Sequence, residues 1–214
     1  MEPRIKREAP SITTDLRSDT VQVPSVIRNC SGIRIFGKRI KSLIFTTDIA
    51  IILNNDADAV IAVYPFTPHP AVIQSIANVS TIPILSGVGG GTTQGKRSAN
   101  ISLFSEAQGS LAVVVNAPTP IETIKQIEET VDIPIVCTIV TEYMDIQARL
   151  DAGVDILNVS GGKDTAYIVS RIRENFPDVP IIATGGPTDE TILDAINAGA
   201  NAISWTPPSN GELF

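Results

Sequence analysis

The sequence predicts an α/β fold, a parallel (β/α)8 barrel, from three observations: eight short apolar runs, amphipathic segments between them, and an internal repeat. The repeat shows in two pairs of segments. Asp132-Ile133-Pro134-Ile135-Val136 matches Asp178-Val179-Pro180-Ile181-Ile182, and Leu150-Asp151-Ala152-Gly153-Val154-Asp155 matches Ile196-Asn197-Ala198-Gly199-Ala200-Asn201. Both pairs are offset by 46 residues, the length of two β/α units, and Thr81-Ile82-Pro83-Ile84-Leu85 is a third copy of the strand opening. In each copy the proline can begin a strand without breaking its ladder, and the glycine can close the preceding helix. An open doubly wound sheet is the alternative arrangement of the same units.

Taken in order, residues 1–30 are polar, hold three prolines and show no sustained period, so they read as an N-terminal arm ahead of a single barrel domain at 31–214. Ile33, Ile35 and Ile40 flank Gly37-Lys38-Arg39, the pattern of a small hairpin. The eight strand-like runs follow, at 42–48, 59–64, 82–86, 111–116, 133–138, 156–160, 180–184 and 202–206. Runs that are apolar nearly throughout imply strands covered on both faces. Between them, Pro70 to Val79 and Pro120 to Val131 carry a helical period, the second opening with the capping box Thr119-Pro120-Ile121-Glu122. Only eight residues follow Thr206, so the last helix is short or missing: either the arm or a partner subunit covers that flank, or the C-terminus is truncated. A homo-oligomer is therefore expected.

Composition narrows the function. With 43% hydrophobic residues in 214, one substantial core is affordable, and a net charge of -7 disfavours nonspecific binding to nucleic acid or an anionic membrane. Two cysteines are too few for a disulfide framework and point to a cytoplasmic setting. The N-terminus lacks the apolar core of a signal peptide, and no run is long enough to span a membrane.

In a barrel the strand ends share one rim, which collects Asp48, Tyr64, Ser86, Asn116, Thr138, Glu142, Ser160, Lys163, Thr184, Ser204 and Thr206. The clearest local signal is Thr184-Gly185-Gly186-Pro187-Thr188, where glycines before a capped helix allow an anion to meet free amides. Gly161, Gly162 and Lys163 offer a second backbone nest beside it, and with Thr184 and Ser204 these residues form the expected phosphate site. Lys163, Asp48 and Glu142 are the candidate catalytic side chains. The glycine loop containing Gly89 and Gly90 is expected to bring Lys96 or Arg97 over the ligand. His69 is the only histidine and lacks partners for a metal site, so no metal is expected and the sequence requires no cofactor.

From Asp132 to Glu212 the chain resembles the phosphate-binding (β/α)8, or TIM, barrels, on Pro180 to Gly186 and Asp194 to Ser204. These include the sugar-phosphate epimerases and aldolases, the thiamine-phosphate synthase type and the glycerol uptake operon antiterminators, which it is similar to also in the closing Leu213-Phe214. The resemblance implies a phosphorylated small-molecule ligand and an isomerase or lyase acting on a sugar phosphate. It also admits a non-catalytic, metabolite-responsive regulator or a barrel that binds flavin mononucleotide. The hexulosonate-type aldolases carry an imine-forming lysine in the sixth strand, whereas this chain has Ile156-Leu157-Asn158-Val159-Ser160 there.

Overall fold

A computed structural model describes residues 10–18 and 20–213. Eight parallel strands close into a barrel: β3 (Ser42–Phe45), β4 (Ala59–Ala62), β5 (Ile84–Gly89), β6 (Ala112–Val115), β7 (Ile135–Ile139), β8 (Ile156–Val159), β9 (Ile181–Thr184) and β10 (Ala202–Trp205), with β10 paired to β3. Each pairs with its sequence neighbour, so the fold is the predicted (β/α)8 barrel rather than an open sheet. The crossovers are α1 (Ile49–Leu53), α2 (Pro70–Val79), α3 (Lys96–Ala107), α4 (Ile121–Glu128), α5 (Ile146–Asp151), α6 (Thr165–Asn175) and α7 (Asp189–Asn197). Among the described residues no helix is long and apolar enough to cross a membrane.

The repeated prolines and glycines act as the repeat implies. Pro83, Pro134 and Pro180 stand just before their strands, where the missing N–H costs nothing, while their carbonyls accept from Val60, Val113 and Leu157 at 2.8, 3.0 and 3.0 Å. Gly153 and Gly199 take φ of +105° and +113° after α5 and α7. The next amide then folds back onto the helix, Val154 to Arg149 and Ala200 to Ala195, each at 3.1 Å.

Beneath the barrel, β1 (Ile33–Ile35) and β2 (Lys38–Ile40) form the expected hairpin. Its turn is Phe36-Gly37, both at positive φ, so Lys38 and Arg39 belong to the strand rather than the turn. Ile33, Ile35 and Ile40 join Leu43, Ala59, Ile61, Leu85 and Val136 in one buried cluster, so the hairpin plugs the bottom of the barrel.

The missing eighth helix has a substitute. After Trp205 only α8 (Asn210–Leu213) forms; Phe214 lies outside the described residues. The space between α7 and α1 is filled by the segment from Val21 to Cys30: the 3-10 turn Ser25–Asn29 packs on α7, and Val21 donates to the Asn54 carbonyl after α1 at 2.9 Å. Ile27 and Cys30 are buried there, so this part of the arm covers the flank. The capping box at Thr119 does not form, because Pro120 itself is the N-cap and the Thr119 hydroxyl is buried without a partner.

Candidate functional site

Side chains alternate along each strand, so the inward positions form layers. In β7 to β10 the lower inward residues are Val136, Ile156, Ile182 and Ala202, all in the buried cluster above the hairpin. Two residues further along, the same positions are Thr138, Asn158, Thr184 and Ser204. Four adjacent strands thus switch from apolar to polar at one level. That level is the floor of a hollow of about 320 Å3 at the C-terminal mouth, closed on the opposite side by Phe45 and Val63.

Asn158 is buried in this layer, 7% exposed. Its Nδ2 approaches the Thr138 hydroxyl at 3.4 Å, and its Oδ1 has no partner. The remaining polar lining is Asn116, Ser160 and Thr206, so among the described residues no ionisable side chain lines the central hollow. Thr206 was on the expected rim, but Asn158 was missed: it stands in the middle of the 156–160 run, and only the two-residue alternation separates inward from outward positions. Ser86 shows the difference: it points away from the mouth and its hydroxyl pairs with that of Ser110 at 2.7 Å.

An adjoining alcove of about 440 Å3 is lined by Gly162, Lys163, Gly185, Gly186, Thr191 and Asp194, and it shares Ser160 and Thr184 with the mouth. The Thr188 hydroxyl accepts from the Thr191 amide at 3.3 Å, a capping box that sets the start of α7. Among the described residues, the amides of Gly162, Lys163 and Gly186 have no hydrogen-bond acceptor. Gly185 differs, since its amide donates to the Ser204 carbonyl at 2.8 Å. A Cβ on Gly186 would stand 2.3 Å from the Thr191 hydroxyl, so glycine here serves the helix cap as well as any ligand.

The other expected site residues are placed differently. Asp48 caps α1 through Oδ1, accepting from the amides of Ala50 and Ile51, while Oδ2 accepts from Asn210 at 2.6 Å. Both its oxygens thus accept hydrogen bonds from the chain, and Asp48 is outside the mouth lining. Glu142 lines a separate outer hollow with Tyr143, Arg171 and Phe176, and its carboxylate pushes the Tyr143 and Tyr167 hydroxyls up from the usual phenol range. Gly161 is excluded from the alcove lining; a Cβ there would meet Ile168 at 2.3 Å.

The glycine loop is a tight turn rather than a lid. Gly90 and Thr93 exchange backbone hydrogen bonds at 2.9 and 3.2 Å, and a Cβ on Gly89 or Gly90 would strike Ser98 or Asn116. Gly89 and Gly90 line a third hollow, about 370 Å3, that meets the mouth at Val63 and Asn116. Lys96 and Arg97 form the exposed first turn of α3 and line none of these hollows. His69 caps α2, its Nδ1 accepting from Ala71 at 3.1 Å.

Fold and mouth together define a TIM-type (β/α)8 barrel with its concave site at the C-terminal strand ends. The sequence matches no protein-family model and no curated protein. Among solved structures, it is similar to QR15, an aldolase, at 15% identity and a TM-score of 0.59, covering 77% of this chain and 88% of that one. It is also similar to a phosphonopyruvate hydrolase complexed with oxalate and Mg++, at 13% identity and a TM-score of 0.60, covering 79% and 76%. A mandelate oxidase variant with an FMN adduct matches at 17% identity and a TM-score of 0.60, covering 83% and 68%. At these identities the likeness is one of fold.

Proposed function

We propose that this barrel binds a small phosphorylated metabolite across the mouth and the alcove, and acts on it as an enzyme of the lyase or isomerase kind. The observation that carries the reading is the continuity of the two hollows through Ser160 and Thr184. A phosphate among the free amides of Gly162, Lys163 and Gly186 leaves the rest of the molecule above Asn158. Lys163 supplies the cationic side chain of the alcove, suited to hold the anion and to polarise or exchange a proton beside it. Aldolases among the solved structures of this fold make a lyase reaction the natural first assay.

A second reading is favoured by one specific observation: among the described residues the central hollow has no acid, base or imine-forming lysine in its lining. A protein that senses the metabolite without turning it over needs none. The experiment is a thermal-shift screen with inorganic phosphate, sugar phosphates and flavin mononucleotide, followed by NMR detection of turnover for any compound that stabilises the chain. Stabilisation with turnover supports the enzyme, and stabilisation without it supports the sensor. Lys163→Met should weaken phosphate binding in either case. No shift with any phosphate compound would reject both readings.

A further inference from the structure

Building on the reading of a phosphate in the alcove, we infer that the part of the ligand held in the mouth is an uncharged polyol or sugar chain read by Asn158, and that a carboxylate in its place is rejected. The inference starts from the polarity of the two walls. One wall, from β7 to β10, presents Thr138, Asn158, Thr184 and Ser204. The facing wall presents the ring of Phe45 and the methyls of Val63. A carbohydrate chain has the same two-sidedness, with hydroxyls on one side and C–H bonds that pack on an aromatic ring on the other.

Charge decides against the alternative. A carboxylate taken out of water needs a cation, a metal or several aimed N–H groups. Among the described residues the hollow is lined by no cationic side chain, its strand amides are committed to the barrel ladder, and the side-chain N–H donors in its lining are the two amides of Asn116 and Asn158. Asn158 adds a selective element. Its carbonyl oxygen is unpartnered in a side chain more than nine-tenths buried, and its Nδ2 has only a 3.4 Å contact with Thr138. An amide with both ends under-used can accept from one hydroxyl and donate to the next, which is the pattern of a vicinal diol; a carboxylate has no proton to give its oxygen.

Isothermal titration calorimetry with matched probes tests this: inorganic phosphate, erythritol 4-phosphate, 4-phosphoerythronate, and the unphosphorylated erythritol and erythronate. Erythritol 4-phosphate should bind about tenfold more tightly than 4-phosphoerythronate, because a buried polar site discriminates strongly when its partners are lost. Asn158→Leu, with inorganic phosphate as the check on the alcove and circular dichroism as the check on folding, should erase that preference. If Asn158→Leu does not fold, Thr138→Val should narrow the preference by removing the hydroxyl that holds Nδ2. Equal or tighter binding of the carboxylate compound, or unchanged discrimination in the folded variant, would overturn the inference. Failure of inorganic phosphate to bind while erythritol is still preferred to erythronate would discard the alcove reading and leave this inference standing; no preference in either pair overturns it.

Discussion

At the scale of single residues, the two thiols show how burial sets chemistry. Cys30 is buried beneath the N-terminal segment, and desolvation pushes its thiol up to about 11 against the pull of Lys41. Cys137 in β7 is pushed up for the same reason, opposed by Arg149, whose Nη1 lies 3.5 Å from its sulfur. In the unfolded chain both thiols ionise near about 8.5. Between that value and the raised folded values the native state binds more protons, so stability is fully present at lower pH and falls as pH rises through this window. Urea midpoints should therefore decline from about pH 8.5 upward, and less steeply in a Cys30→Ala, Cys137→Ala double variant. An identical decline in the double variant would assign the alkaline loss to other groups. The reduced, buried state of Cys137 was legible from its apolar run. That of Cys30 was not, because its covering residues lie far away in sequence.

At the scale of elements, the 46-residue repeat carries a device more specific than turn glycines. Asn201 precedes β10 and reaches back to the start of β9, its Oδ1 accepting from Ile181 at 2.9 Å; Asp155 does the same for Ile135 at 2.9 Å. Asp58 repeats the arrangement for Lys41 and Ser42 at 2.8 and 3.0 Å. Each polar side chain satisfies a strand-opening amide at the bottom of the barrel, at the first, fifth and seventh of its eight strands. Asn201 also accepts from Arg173 at 3.0 Å and donates to Ser31 at 2.9 Å, tying α6 and the arm to the sheet. Asn201→Ala should cost about 2–3 kcal/mol by chemical denaturation, since several groups lose their partner together, and Asn201→Asp should recover most of it. A loss in the alanine variant no larger than at an exposed site would show that water replaces the side chain. Helix α3 marks the other limit of sequence reading. It buries Ser98, Ser102 and Ser105, the last two bonded to the carbonyls four residues back, so it packs tightly without the apolar stripe that announces a helix.

At the scale of the whole molecule, the strands and their order were readable because period, proline position and repeat agree, and each is a local property of the chain. The mouth was half-readable. Thr138, Thr184 and Ser204 stand at strand ends, but so does Asp48, and only the capping bonds of Asp48 remove it from the site. That the N-terminal segment takes the place of the eighth helix was only half-readable, because the segment is short, aperiodic and held by contacts distant in sequence. Its weight rests on Ile27, 1% exposed and packed with the residues under α7, whereas Leu16 is 96% exposed. If the segment is the true eighth wall, truncating Ile27 leaves a cavity between α7 and β10 and should cost about 3 kcal/mol, or about 10 °C in a domain of this size. Ile27→Val should cost about 1 kcal/mol, and Leu16→Ala almost nothing. Thermal unfolding of the three variants orders them. An Ile27→Ala protein as stable as Leu16→Ala would mean that the barrel holds itself shut through the β10–β3 pairing alone, with the N-terminal segment only laid upon it.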